Sequence, residues 1–179
     1  MRKVFASLLT ASALGASVVL PAAPATAAAD DDGVVTCPLG VQSTSYSPGL
    51  TLATPAPHVD VHSSGTLGPC VSTDLQHTAG TYTFDGSGNL NCLGGGSAGT
   101  GKIVWADPAT QPSHFTFTSS LALRPNGTTV LVATGPITQG DYTGHTIVNT
   151  VVITSLDLLA CATPGGLTTT SGPFAVTVL

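Results

Sequence analysis

The pentapeptide His58-Val59-Asp60-Val61-His62 sets two imidazoles and a carboxylate at alternate positions. On an extended strand these three side chains share one face and the two valines share the other. Neighbours on that face stand roughly 6.6 Å apart along the strand, close enough to share a metal ion, whereas all three span about 13 Å. A single ion held by His58, Asp60 and His62 together therefore needs a bulge, and a structural zinc site needs four arranged ligands. The pattern is expected to be a polar outer face over a valine-lined core. Weak zinc or copper binding is the metal-ligating alternative.

The stretch GGGSAGTGKI, residues 94–103, is the second candidate, and it matches three motifs at once. Gly96 to Lys102 reads as a phosphate-binding loop, Gly94 to Gly99 as a dinucleotide fingerprint, and Gly95 to Gly99 as a nucleophile elbow centred on Ser97. All three motifs need a helix after the loop, whose N-terminal amides hold the phosphate or the oxyanion. The chain continues instead as KIVWADP, a strand pattern stopped by Asp107-Pro108. Ile103 stands where the phosphate loop needs Ser or Thr, and no acidic residue follows on a βαβ strand. A Ser97 nucleophile would call on Asp107 with His114, or on Asp141 with His145. With five His and nine Asp in the chain, such an order arises easily by chance. Residues 94–101 are expected to be a flexible glycine hairpin loop leading into the Trp105 strand, with no nucleotide bound.

No other carboxylates suggest catalysis. Glu is absent, and most Asp residues flank turns, where Asx hydrogen bonding explains them. Asp157, within SLDLLAC, is expected at a strand end with its carboxylate hydrogen-bonded, and not as a buried acid. Asp30-Asp31-Asp32 lacks the alternating ligands and glycine turn of a calcium loop. Asn126-Gly127-Thr128 is a glycosylation sequon. The expectation is a protein without a cofactor and without catalytic activity.

The elements that must position these residues are strands. Period-two alternation recurs along the chain and no stretch has a helical stripe. The clearest strand is HFTFTSSLALR, 114–124, turned by Pro125-Asn126-Gly127 into TTVLVATG, 128–135. TYTF, 81–84, is expected to pair with NLNCL, 89–93, across Asp85-Gly86-Ser87-Gly88. HTIVNTVVITSLDL, 145–158, carries apolar residues on both faces and is expected to be central and doubly covered. PFAVTVL closes the chain, and two short segments near the start bring the total to eight to ten strands. The fold class is all-β. A single-domain β-sandwich, immunoglobulin-like in its Cys92…Trp105…Cys161 order, is the leading architecture, and a closed antiparallel β-barrel is the alternative.

Composition bounds the partners. Residues 1–29, with Arg2 and Lys3 before an apolar run and Ala25-Thr26-Ala27 after it, read as a cleaved export signal. Cleavage after Ala27 or Ala29 leaves a single domain, 30–179. Its cations are Lys102 and Arg124, against nine Asp, a net of −7. Such a surface repels nucleic acid and anionic lipid. No further apolar run is long enough to span a membrane. Cys37, Cys70, Cys92 and Cys161 are an even set without a Cys-x-x-Cys pair, which reads as two disulfides in a secreted, extracellular protein. Three connectivities are open. Cys37–Cys70 with Cys92–Cys161 is the expected one, because it keeps the first pair in one half of the chain.

The export signal, the four cysteines, GTGKIVW and GPITQGDYTG resemble small secreted actinobacterial proteins of uncharacterised role. That resemblance implies a disulfide-tied β-domain and brings no catalytic residues. The functional expectation is a secreted, non-catalytic domain that binds cell-wall or glycan material, or another extracellular protein. A small hydrolase with a His/Asp loop site and a lipocalin-like carrier of an apolar ligand are the alternatives.

Overall fold

The computed structural model describes residues 34–53, 56–123, 129–153 and 157–179. The export-signal reading of residues 1–29, Asp30-Asp31-Asp32 and the Asn126 sequon lie outside them. Residues Asp31–Leu179 belong to one compact unit. Its strands are β1 (Val35–Leu50), β2 (Ala56–Leu67), β3 (Val71–Ser72), β4 (Gly80–Asn91), β5 (Gly94–Trp105), β6 (Ser113–Leu123), β7 (Thr129–Gln139), β8 (Thr146–Ile153) and β9 (Leu167–Val178), with a one-turn helix α1 (Leu158–Cys161) before β9.

The strands pair antiparallel in the order β2-β4-β5-β6-β7-β8-β9-β1, and β1 then pairs with β2. Eight strands thus close into a barrel, with β3 attached to the start of β1. Of the two architectures, the closed barrel is the one formed. The immunoglobulin-like cysteine–tryptophan order carries no meaning here, because Trp105 ends β5 while Cys92 lies just before its start.

Alternation decides which residues enter the barrel. Inward positions of β4 and β6 supply Tyr82, Phe84, Phe115 and Phe117, which meet Phe174 of β9. Tyr82 stacks on Phe115 at 5.9 Å between centroids, and Phe84 meets Phe117 edge-on at 4.3 Å. Several inward polar groups pair with one another, whereas Gln42 Oε1, Thr129 Oγ1 and Asn149 Oδ1 find no partner among the described residues. Ser97 bonds Ser119 (2.7 Å), Thr44 bonds Ser63 (2.6 Å), and Asn149 donates to the Tyr82 hydroxyl (2.8 Å). Strand β8, Thr146–Ile153, alternates between buried and half-buried residues along most of its length, so it is a barrel stave with one covered face. The expected strand to residue 158 gives way to α1, whose N-cap is Asp157. Its exposed carboxylate accepts from the amides of Leu159 and Ala160, each at 3.0 Å.

Glycine caused the two largest departures from the sequence reading. Residues 94–101 are not a loop: they lie in β5 and pair residue by residue with both β4 and β6. Asp85–Gly88 is not a turn either, since β4 runs through it and the chain reverses at Cys92-Leu93. The reason is room inside a narrow barrel. A Cβ on Gly101 would stand 2.5 Å from the Phe115 ring, and one on Gly99 would stand 2.1 Å from the Asp85 carbonyl. Neighbouring aromatic rings cover the bare backbone, and the missing side chains let the strands coil tightly enough to close.

Disulfides form between Cys37 and Cys70 and between Cys92 and Cys161. The first ties the start of β1 to the segment before β3, and the second ties the β4–β5 turn to α1. Each thus closes one end of the barrel. Loops of 33 and 69 residues correspond to about 3.7 and 4.4 kcal/mol of denatured-chain entropy.

Candidate functional site

The chemically capable side chains fall into two groups, one plugging a barrel end and one spread over the outer wall. The plug is built on His77, in the connection from β3 to β4, whose ring is buried. Its Nδ1 lies 2.7 Å from Asp74 Oδ2 and its Nε2 lies 2.9 Å from Asp141 Oδ2, on the β7–β8 connection. Each ring nitrogen therefore has a carboxylate oxygen within hydrogen-bonding distance. Trp105 meets the imidazole edge-on at 4.8 Å, and Tyr142 lies against it at 4.5 Å. The indole N–H donates to Ser113 Oγ (3.0 Å), which donates in turn to the Asp141 carbonyl (2.8 Å). The imidazole thus joins the β3–β4 and β7–β8 connections over the barrel end, beside the end of β5 and the start of β6.

Asp74 is the most heavily bonded carboxylate of the plug. Burial pushes its carboxyl up, but hydrogen bonds from Ser72 Oγ, His77, the Gln76 amide and the Tyr142 hydroxyl outweigh that and hold it well below the usual carboxylate range. The same surroundings push Tyr142 upward: burial acts first, and the negative charges of Asp74 and Asp141 add to it. Tyr142 has a positive φ of 64°, an uncommon conformation for a bulky residue, which turns its hydroxyl onto Asp74.

Both ring nitrogens of His77 face carboxylates, so neither is free to take a proton from a hydroxyl. Ser72 donates to Asp74 at 2.5 Å and not to the ring. The dyads named from sequence do not form. Asp141 serves His77, while His145 donates to the Leu179 carbonyl (3.0 Å). Asp107 accepts from the Ala109 amide (2.9 Å) within its own turn. Ser97 points into the barrel, against Ser119. Sequence reasoning passed over His77 and Asp74 because Asp-x-x-His in a loop has no distinguishing spacing.

The outer wall holds the His-x-Asp-x-His strand. His58, Asp60 and His62 point out from β2 and are exposed, while Val59 and Val61 are buried. His58 Nε2 lies 3.0 Å from Asp60 Oδ1, and His62 Nδ1 lies 2.5 Å from Asp85 Oδ1 on β4, directly across the ladder. The three residues do not converge, and no group of three or more metal-ligating side chains assembles among the described residues. Asp85 was hidden from the sequence reading by its apparent place in a turn.

Beyond Asp85 the outward residues of β4, β5 and β6 form two cross-strand rows. Asp85, Thr100 and Thr116 make one, and Thr83, Lys102 and His114 make the other. Rows two residues apart lie roughly 6.7 Å from each other, and adjacent strands are about 4.8 Å apart. These residues line a groove of about 290 Å³. A second groove of about 330 Å³, lined by Ser45, Asp60 and His62 among others, shares Asp85 with it. The ion pairs among the described residues all involve His, so Lys102 takes part in none. No described helix is long and apolar enough to cross a membrane. No known protein family, curated protein or solved structure matches the chain.

Proposed function

We propose that this chain is a secreted, non-catalytic β-domain that binds cell-wall or glycan material through the outer wall of its barrel. The observation that carries the reading is how the polar groups are divided. Those inside and at the plugged end mostly satisfy one another, whereas the hydroxyls of Thr83, Thr100 and Thr116 face an open groove beside Lys102. A grid of hydroxyl and ammonium donors at cross-strand spacing suits a polyhydroxylated ligand, which needs many hydrogen bonds and little apolar area. Against a hydrolase stands the double engagement of the one buried imidazole described here. Against a carrier of apolar ligands stands an interior filled by Tyr82, Phe84, Phe115, Phe117 and Phe174, where a carrier needs a lined cavity. Two disulfides fit an oxidising compartment, and the export-signal reading of residues 1–29 belongs to the same proposal.

The test is co-sedimentation of the purified domain with insoluble cell-wall polysaccharide, beside a Thr100→Glu/Thr116→Glu variant. The wild type is expected in the pellet and the variant in the supernatant. Both remaining soluble, or both pelleting equally, would remove the outer groove as a binding site.

A further inference from the structure

We infer that the groove around Lys102 is a subsite for a sparsely carboxylated saccharide, with Lys102 pairing to a sugar carboxylate and the threonine rows bonding the neighbouring hydroxyls. This rests on the binding function proposed above and specifies its ligand.

Three observations carry it. Lys102 is the only Lys or Arg among the described residues, and it stands at the centre of the groove row, between Thr83 on β4 and His114 on β6. Asp85, one row away in the same groove, has its carboxylate on His62 of β2 at 2.5 Å. Lys102 thus has Thr83 and His114 as cross-strand neighbours and forms no ion pair among the described residues, in a groove of about 290 Å³. A cation with three donors and no acceptor role selects an anion. The hydroxyls of Thr83, Thr100 and Thr116 each donate once and accept twice, which matches sugar hydroxyls.

The charge of the rest of the chain limits how anionic the ligand is. With nine Asp and few cations, the chain as a whole repels a densely charged polyanion, and Lys102 is the one Lys or Arg lining the groove. An oligosaccharide with isolated carboxylates, of the uronic or muramic acid kind, places one charge on the ammonium and only neutral hydroxyls elsewhere. The contact is solvent-exposed, so its contribution is modest and is screened by salt beyond a distance of about 10 Å at 0.1 M.

The experiment titrates the wild-type domain with a uronic-acid oligosaccharide and with its carboxyl-reduced, neutral counterpart, following amide chemical shifts. Lys102→Gln and Lys102→Arg are titrated in parallel, and each series is run in low and in high salt. The expected result is tighter binding of the acidic sugar, with shifts centred on Lys102, Thr100 and Thr116. Lys102→Gln should lose about three- to fivefold affinity, in line with an exposed pair. Lys102→Arg should keep it, and the neutral sugar should be indifferent to both variants. Equal binding of both sugars and no effect of Lys102→Gln would overturn the carboxylate subsite while leaving glycan binding intact. No binding of either sugar, with the same residues shifting instead on a peptide carboxylate, would overturn both readings.

Discussion

The sharpest consequence of the plug follows from removing its centre. In His77→Ala the ring is lost from between Asp74 Oδ2 and Asp141 Oδ2, which then face each other with nothing bonded between them. Breaking a buried ion pair by deleting one partner costs about 3–5 kcal/mol, because a charge is left stranded. Here the two carboxylates are 39% and 29% exposed and water can rehydrate them. That argues for the lower end, about 3 kcal/mol including the lost ring contacts to Trp105 and Tyr142. For a domain near this size that is roughly 6–12 °C in Tm. Thermal unfolding followed by circular dichroism at pH 7 measures it. The variant Asp74→Asn/His77→Leu/Asp141→Asn, which removes the stranded charges and refills the space, should recover part of the loss. Acid titration supplies an independent arm. The Asp74 carboxyl lies well below its ordinary range, so its stabilisation is complete above about pH 5 and is lost as the pH falls below that. Asp74→Asn should flatten that acid limb. A His77→Ala shift under about 1 kcal/mol, or an acid limb unchanged in Asp74→Asn, would show that the connections hold together without this imidazole.

Other outcomes are equally definite. Gly101→Val should destabilise by about 1–3 kcal/mol through overpacking against the Phe115 ring, measured by urea unfolding, whereas a flexible loop at that position would leave stability unchanged. Trp105→Ala should cost about 3–5 kcal/mol, as a buried indole leaves a cavity; a value under 1 would contradict its place in the core. Removing Cys92–Cys161 should lower stability by slightly more than removing Cys37–Cys70, about 4.4 against 3.7 kcal/mol, because its loop is longer. Zinc titrated by calorimetry should bind the His58/His62 strand no tighter than the micromolar range. Nanomolar binding abolished in His58→Ala/His62→Ala would restore it as a metal centre.

Alternation made the strand class, the β6–β7 hairpin and the inward Val59 and Val61 legible from sequence, because a half-buried stave shows its period directly. The cysteine pairing that formed is the one expected, although the sequence left three connectivities open. What the sequence hid was the effect of curvature. Gly86, Gly88, Gly99 and Gly101 look like turn residues in one dimension. In a narrow barrel they are inward positions where a side chain would strike a neighbouring ring or carbonyl. That misreading broke β4 at Asp85 and concealed the His62–Asp85 contact. The plug was illegible for a different reason: the Asp74/His77 pair and the Asp141/Tyr142 pair are far apart in sequence, and only barrel closure brings their connections together. The outward Thr–Lys–His row shared that fate, since its members lie on three strands and their alignment depends on register.

The seam of the barrel has a consequence for how the chain comes to be folded. β1 bonds β2 on one side and β9 on the other, so a strand near one end of the sequence waits for a strand near the other. While the chain emerges progressively, β2, β4, β5, β6, β7 and β8 can accumulate neighbours as they appear, but β1 retains one open edge until β9 arrives. Closure across that sequence distance is entropically slow, and an unpaired edge is a template for a second chain. Ser, Thr and Gly dominate the open stretch of β1 that faces β9, with Gln42, Ser43, Thr44 and Ser45 in place of aliphatic residues. A polar seam of this kind delays its own misuse: it pairs poorly with strangers, yet accepts the partner whose register matches along its length.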